Sequence, residues 1–401
     1  MVQAKKSEAE NAETINVGIV GHIDHGKTTL LQRLSGKWTD THSEELKRGI
    51  TIRLGYADVF IYEDHGKYNI EKKGRLVRHV SFVDSPGHEM LMATMLSGAA
   101  MIDAAILVVA ANEGIKPQTR EHLMALQAKK VKTIIVAQNK IDLVDQKQAE
   151  KNYQEIKDLL KGKFDNVLVI PTSAQQGANI DVLLKAICDI PSPERKLDGD
   201  PIFVVARSFD INRPGKKAVD LNGAVLGGAL KQGKLKVGDE IELRPGKVIK
   251  ESNQIKYKTI STKVRKLFRG SGEVSEMTPG GSMSIETELD MALGRADSLA
   301  GNVVSLSGKL PETTEKMRVK FSLFKEVYGL GGHENVSQIK PGETLMLSIN
   351  TSITGGSVKR VKGDEMEIDL KIPVVPFKGD NMGIARNISG HWRLIGFGEI
   401  L

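Results

Sequence analysis

An apolar, β-forming run, Ile15–Val20, ends in the loop Gly21-His-Ile-Asp-His-Gly26, and Lys27-Thr28-Thr29 at once opens a helical pattern. A strand, a tight glycine-bounded loop and a helix in succession leave few folds open. Glycine alone lets the backbone turn so sharply and pass so close to whatever the loop encloses. The spacing is that of a phosphate loop. Backbone N–H groups over Asp24, His25, Gly26, Lys27, Thr28 and Thr29 would surround phosphate oxygens at a helix N-terminus. Lys27 would neutralise the β and γ oxygens, and the Thr28 hydroxyl would hold Mg2+. The side chains of His22 and His25 read as loop packing and are assigned no chemistry.

The rest of the first 190 residues alternates short apolar runs with longer helical patterns. Strands are expected at Ile15–Val20, Val80–Val83, Ala104–Ala110, Thr133–Ala137 and Val167–Ile170. Helices are expected to start near Lys27, His88, Pro117, Gln146 and Asn179, with Pro117 in a first turn and Asn179 as an N-cap. Such alternation implies βαβ units and a parallel sheet covered on both faces. The stretch Ile190-Pro-Ser-Pro-Glu-Arg-Lys-Leu-Asp-Gly-Asp-Pro201 is a stiff, exposed linker. Beyond it, short runs broken by Gly, Pro and Asn predict antiparallel barrels. The 401 residues accommodate about three domains. The expected division is a tail over 1–14, a nucleotide domain over 15–200 and two β-barrels over 201–307 and 308–401.

Three further strings fall at strand ends, where open α/β sheets bind ligands. Asp84-Ser-Pro-Gly87 places a carboxylate where it can reach the metal, directly or through water. Asn139-Lys-Ile-Asp142 supplies a base selector. Guanine offers an N1–H and a 2-amino group that the Asp142 carboxylate can accept together, and adenine offers neither. The Lys140 stem can pack along the base, Asn139 can brace the loop, and a backbone N–H of Ser173-Ala174-Gln175 can donate to guanine O6. The first domain is therefore expected to be an α/β P-loop GTPase domain with a mostly parallel, doubly wound sheet, binding GTP or GDP with Mg2+.

Composition narrows the setting. The longest apolar run, Ala104–Ala111, has eight residues, far fewer than the roughly 20 a membrane helix needs. No membrane association is expected. A single cysteine, Cys188, fits a reducing, cytoplasmic compartment. The net charge of +7 belongs to the C-terminal half, because residues 1–200 hold 27 basic and 27 acidic side chains. It is densest from Arg244 to Arg269, where nine Lys and Arg meet one acid, Glu251. This is compatible with an RNA partner. Aromatics, at 4% of residues, are too few for a base-stacking platform.

Together GHIDHGKTTL, KRGITI, DSPGHEMLM, PQTREHL, NKID and SAQ resemble the translational GTPases, the superfamily of elongation factor Tu. In that resemblance Thr51 is the switch I threonine that closes on Mg2+. Asp24 and Gly49 are placed beside the same metal, and Asp84 and Gly87 belong to switch II. His88 orients the attacking water, with Ile23 and Ile50 as apolar neighbours. An imidazole directly after the glycine that would face the γ-phosphate suits that task. The stretches 42–51, 87–98, 207–214 and 392–398 are similar to the gamma subunits of archaeal translation initiation factor 2. That likeness implies a nucleotide domain followed by two β-barrels, and a heterotrimer with alpha and beta subunits, alpha on the second domain and beta on the first. It further implies GTP hydrolysis and GTP-dependent delivery of methionylated initiator tRNA to the small ribosomal subunit.

One departure stands out. The family commonly carries a four-cysteine zinc knuckle between switch I and Asp84, but residues 62–79 contain no cysteine. His65 and His79 cannot complete a tetrahedral site alone, so no zinc is expected. Two other readings share these motifs. One is an elongation-type or selenocysteine-type factor delivering other aminoacyl-tRNAs. The other, of another class, is the GTPase subunit of a sulfate-activating enzyme, which the basic segment disfavours mildly.

Overall fold

The computed structural model describes residues 13–37, 55–84, 92–212, 215, 217, 221–251, 254–270, 272–329 and 332–401. By contact it divides into two compact units. The first holds residues 1–193 with 325–335 and 388–394, and the second holds the remainder.

The first unit is built on seven strands: β1 (Thr14–Gly21), β2 (Gly55–Asp64), β3 (Lys67–Asn69), β4 (Arg75–Asp84), β5 (Ala104–Ala110), β6 (Thr133–Asn139) and β7 (Leu168–Pro171). Their order is β3-β2-β4-β1-β5-β6-β7. The pairs β1–β4, β1–β5, β5–β6 and β6–β7 are parallel, and all five strands read from the sequence are among these. Strand β2 runs antiparallel to β4 and β3. The sequence reading does not name it. Ala57, Val59 and Ile61 are buried while their neighbours are half-exposed, the pattern of a strand covered on one face only.

Described helices are α1 (Lys27–Ser35), α2 (Met92–Ala99), α3 (Pro117–Ala128), α4 (Gln146–Leu160) and α5 (Ile180–Cys188). Helices α1 and α5 bring Leu30, Leu31, Leu34, Leu183 and Ile187 against Ile15, Val17, Ile19 and Phe82. Helices α3 and α4 bring Leu123, Leu126, Ile156 and Leu160 against Val20, Leu107 and Val136 on the other face. Each such side chain contributes about 1.5–3 kcal/mol of transfer free energy. Pro117 stands in the first turn of α3, as expected. Asn179 holds the N-cap position of α5 but does not cap it. It adopts left-handed geometry (φ 58°), and its amide donates to the Pro171 carbonyl at 2.8 Å. That loop contact uses the side chain instead.

Two C-terminal pieces complete the first unit. Strands β18 (Glu326–Gly329) and β19 (Gly332–Asn335) form a hairpin beside α3, with the Arg120 guanidinium 5.4 Å from the Tyr328 ring centroid. Arg393 donates to Glu121 at 2.9 Å, and both residues are buried.

In the second unit, strands β8 (Ile202–Phe209), β9 (Val225–Gln232), β11 (Glu240–Glu251), β12 (Gln254–Arg269), β15 (Met283–Thr287) and β16 (Val303–Leu306) form a ring. The antiparallel β11–β12 pairing closes it, with β13 (Gly272–Val274) appended to β12. Phe203, Leu226, Ile241, Leu267 and Ile285 fill its interior. The short strands β10 (Leu235–Lys236) and β14 (Glu276–Met277) pair separately. A second closed barrel runs β17-β22-β21-β20-β23-β24, from β17 (Thr314–Leu323), β20 (Thr344–Ile349), β21 (Ser352–Lys362), β22 (Glu365–Val374), β23 (Asn381–Ile388) and β24 (His391–Ile400). The two rings are the expected β-barrels. No helix among the described residues is long and apolar enough to cross a membrane.

Candidate functional site

The site is assembled at the carboxyl ends of β1, β4 and β6. Gly21 has φ +142°, and a Cβ on it would lie 2.3 Å from the Val108 carbonyl oxygen. Gly26 has φ +88°, and its Cβ would lie 2.4 Å from Asn139 Nδ2. A side chain at Gly21 would strike the β5 backbone and one at Gly26 the Asn139 amide, so the loop takes this course only with glycine at both positions. Asp24 between them is left-handed as well (φ 61°) and exposed. Helix α1 starts at Lys27 with no side chain capping its first N–H groups and no acid in its first turn. Those donors suit an anion. The Lys27 ammonium is folded over the loop, donating to the His22 carbonyl at 2.7 Å.

The parallel register sets Ile19 of β1 opposite Asp84 of β4, which brings Asp84 beside α1. The Thr28 hydroxyl lies 3.4 Å from Asp84 Oδ2. A hydroxyl and a carboxylate are hard oxygen donors, the set that Mg2+ prefers. The expected metal pair is thus brought together. Gly49, Thr51, Gly87 and His88 lie outside the described residues.

Asn139, at the end of β6, joins the loops. Its Nδ2 donates to the His25 carbonyl at 2.9 Å, and its Oδ1 accepts the Ala174 N–H at 3.0 Å. The phosphate loop, the Asn139–Asp142 string and the Ser173–Gln175 loop therefore meet at one side chain. Asp142 sits exposed in the turn Ile141–Leu143, just past left-handed Lys140 (φ 59°). Ser173 and Ala174 are buried, and Gln175 is exposed. Because Asn139 engages the Ala174 N–H, a base carbonyl there would share that hydrogen in a three-centre bond.

Two supports escaped the sequence reading. Arg33 of α1 donates to the Ala174 and Gln175 carbonyls at 2.8 and 2.7 Å, clamping the third loop to the phosphate-loop helix. Glu113 accepts from Lys140 at 3.1 Å and stands 3.9 Å from His25. Burial alone would raise the Glu113 carboxyl, but the Lys140 bond and the charges of Lys140 and Lys116 outweigh it and hold it below the usual range. Burial pushes His25 down to about 4, against the opposing bond to Val108. Its ring is neutral, packed edge-on to His22 with centroids 5.1 Å apart. That agrees with a packing role.

Comparison with known proteins locates this site in a lineage. The family model of the elongation factor Tu GTP binding domain matches residues 12–192, and that of the C-terminal part of initiation factor eIF2 gamma matches residues 315–400. The chain is 50% identical over 409 residues to the translation initiation factor 2 subunit gamma of Methanocaldococcus jannaschii, covering 99% of each. To the subunit of the same name in Pyrococcus furiosus it is 49% identical over 408 residues, again covering 99% of each. Among solved structures, a bacterial selenocysteine-specific elongation factor aligns at TM-score 0.75 and 25% identity, over 97% of this chain and 58% of that one. The elongation factor SelB of Methanococcus maripaludis, crystallised with a GTP analogue, shares the fold at TM-score 0.73 and 24% identity, over 97% of this chain and 79% of its own.

Proposed function

The chain belongs to the family of gamma subunits of translation initiation factor 2, GTP-binding and GTP-hydrolysing proteins that use Mg2+, and we propose how its residues serve that activity. The observation that carries the proposal is the Asn139 side chain bridging the His25 carbonyl and the Ala174 N–H. It fixes phosphate donors and base selector in one frame. Backbone N–H groups from Asp24 to Thr29, with the Lys27 ammonium, hold the β- and γ-phosphates. Thr28, Asp84 through water, and Thr51, with Asp24 and Gly49 nearby, would hold Mg2+, which supplies positive charge at the β and γ oxygens. Asp142 reads guanine. By family resemblance His88, next to Gly87, orients the water that attacks the γ-phosphate.

In the GTP state the protein binds methionylated initiator tRNA and, with its alpha and beta subunits, brings it to the small ribosomal subunit in the cytoplasm. End-to-end identity of 50% to initiation subunits, against 25% to the selenocysteine-specific factor, supports initiation over elongation. Filter binding of methionylated initiator tRNA to the GTP and GDP forms tests the reading. Tighter binding in the GTP form is expected, and equal binding to both forms would contradict it.

The basic segment refines the RNA surface. Arg244 is engaged with Glu242 and Glu312, Lys256 with Glu251 in an exposed pair, Arg265 with Leu221 and Glu286, and Arg269 with Thr278. The β11–β12 register places Lys247, Lys256 and Lys258 on one face, opposite Val248, Lys250, Ile255 and Tyr257. Changing those three lysines to glutamine should weaken tRNA binding and flatten its salt dependence by up to about three units of slope. Initiator and elongator tRNAs should lose affinity alike, because phosphate contacts carry little sequence information. A folded triple variant with the wild-type affinity and slope would make these lysines an ordinary solvated face.

We also infer that no zinc is bound. Asn69 Oδ1 accepts the N–H groups of Glu71 and Lys73 at 3.0 and 3.3 Å, so hydrogen bonds close the turn. His65 is fully exposed, whereas His79 is buried against Asp58 at 3.4 Å, so the two do not converge. Metal analysis of purified protein should find far less than one zinc per chain. Stoichiometric zinc that survives dialysis would contradict this.

A further inference from the structure

The phosphate loop is held from behind by helix α3. His122 is buried within the first unit, and its Nδ1 accepts the Gly21 N–H at 2.8 Å. An acceptor at Nδ1 requires a neutral ring carrying its proton on Nε2. Burial, aided by the charge of Lys27, pushes this imidazole down to about 3. The ring therefore remains an acceptor throughout the physiological range. One turn earlier on the same helix face, Gln118 Oε1 accepts the Ile23 N–H at 3.2 Å. The two donors flank His22, whose carbonyl takes the Lys27 ammonium. Between Gln118 and His122 in the same helix, Arg120 is set over Tyr328 and Glu121 is paired with Arg393, which anchors α3 further.

We propose that His122, assisted by Gln118, is a positioning residue of the nucleotide site: it fixes the first turn of the phosphate loop so that the next N–H groups, from Asp24 onward, face a common point. Both side chains act through the loop backbone, by accepting the Gly21 and Ile23 N–H groups. Gly21 and Ile23 direct their N–H groups to the helix, which commits them to holding the loop's shape. With φ +142° at Gly21 the backbone there is free of the restraint a side chain would impose, so the geometry has to be imposed from outside. A preformed cradle binds more tightly than one that must be ordered on binding.

This inference rests on the phosphate-loop reading, and the test separates the two. Dissociation of fluorescent GDP is measured from wild type, His122→Asn, His122→Leu and Gln118→Leu, with the fold checked by circular dichroism. Asparagine Oδ1 stands about where the imidazole Nδ1 stands, whereas leucine keeps the bulk and removes the acceptor. Leaving a buried N–H without its acceptor should speed release from His122→Leu about ten-fold or more. His122→Asn should stay within about three-fold of wild type, and Gln118→Leu should release about three-fold faster. A purely structural role would not be rescued by asparagine. Wild-type release from His122→Leu, or equally fast release from both His122 variants, would overturn the proposal. Should His122→Leu fail to fold, unchanged release from Gln118→Leu would overturn it. Asp142→Asn is the control: if that variant keeps its guanine preference, the nucleotide-site reading fails rather than the role of His122.

Discussion

Asp142→Asn is expected to lower GTP affinity by more than about 100-fold while leaving the fold intact. The carboxylate accepts two hydrogen bonds from guanine, both assisted by its charge. Asparagine keeps the shape but turns an NH2 group toward the guanine donors. Losing two such bonds costs several kcal/mol, and each 1.4 kcal/mol is a factor of ten in affinity. Asp142 is exposed in its turn, so the change should not disturb packing. Xanthosine triphosphate carries a carbonyl acceptor at C2 and should bind the variant better, relative to GTP, than it binds wild type. Calorimetric titration with both nucleotides checks this, and unchanged GTP affinity in a folded variant would remove Asp142 from the site.

His88→Ala should behave differently. Stimulated GTP turnover should fall by on the order of 10²-fold or more, with GTP affinity within a few-fold of wild type. The imidazole is proposed to orient the attacking water and makes no ground-state phosphate contact, so the loss should appear in turnover alone. The slow intrinsic rate need not move, and the assay therefore includes the ribosomal complex and any activating partner. Equal stimulated rates for variant and wild type would return His88 to a surface role.

How much of this was legible depends on the range of each interaction. Lys27, Thr28, Asp84, Asn139 and Asp142 are readable because each lies in a short string at a strand end, and parallel strands bring their carboxyl ends to one edge. The Asn139 brace was legible for the same reason, and the structure gives it two specific partners. Arg33, Glu113, Gln118 and His122 were not legible as site residues. Arg33 meets a loop some 140 residues away, and His122 meets Gly21 about 100 residues away, and neither type carries a local signal for such a contact. Strand β2 was missed because an antiparallel neighbour near a sheet edge needs no continuous apolar run. Asn179 was misread because its position suits a cap, while the Pro171 carbonyl offers its side chain another bond. The basic segment was visible as charge, but only strand register and the ion pairs of Arg244, Lys256 and Arg265 show which cations share a face and which already have a partner.

The central claim is that this GTP-binding chain serves initiation, and discrimination between tRNAs tests it most directly. The GTP form, assembled with the proposed alpha subunit, is titrated in a filter-binding assay against methionylated initiator tRNA and against an aminoacylated elongator tRNA. The salt concentration is held fixed, because phosphate contacts make both affinities depend on it. Tighter binding of the initiator by at least about ten-fold, a difference of about 1.4 kcal/mol, is the predicted result. Equal affinities, or a preference for the elongator, would contradict the account.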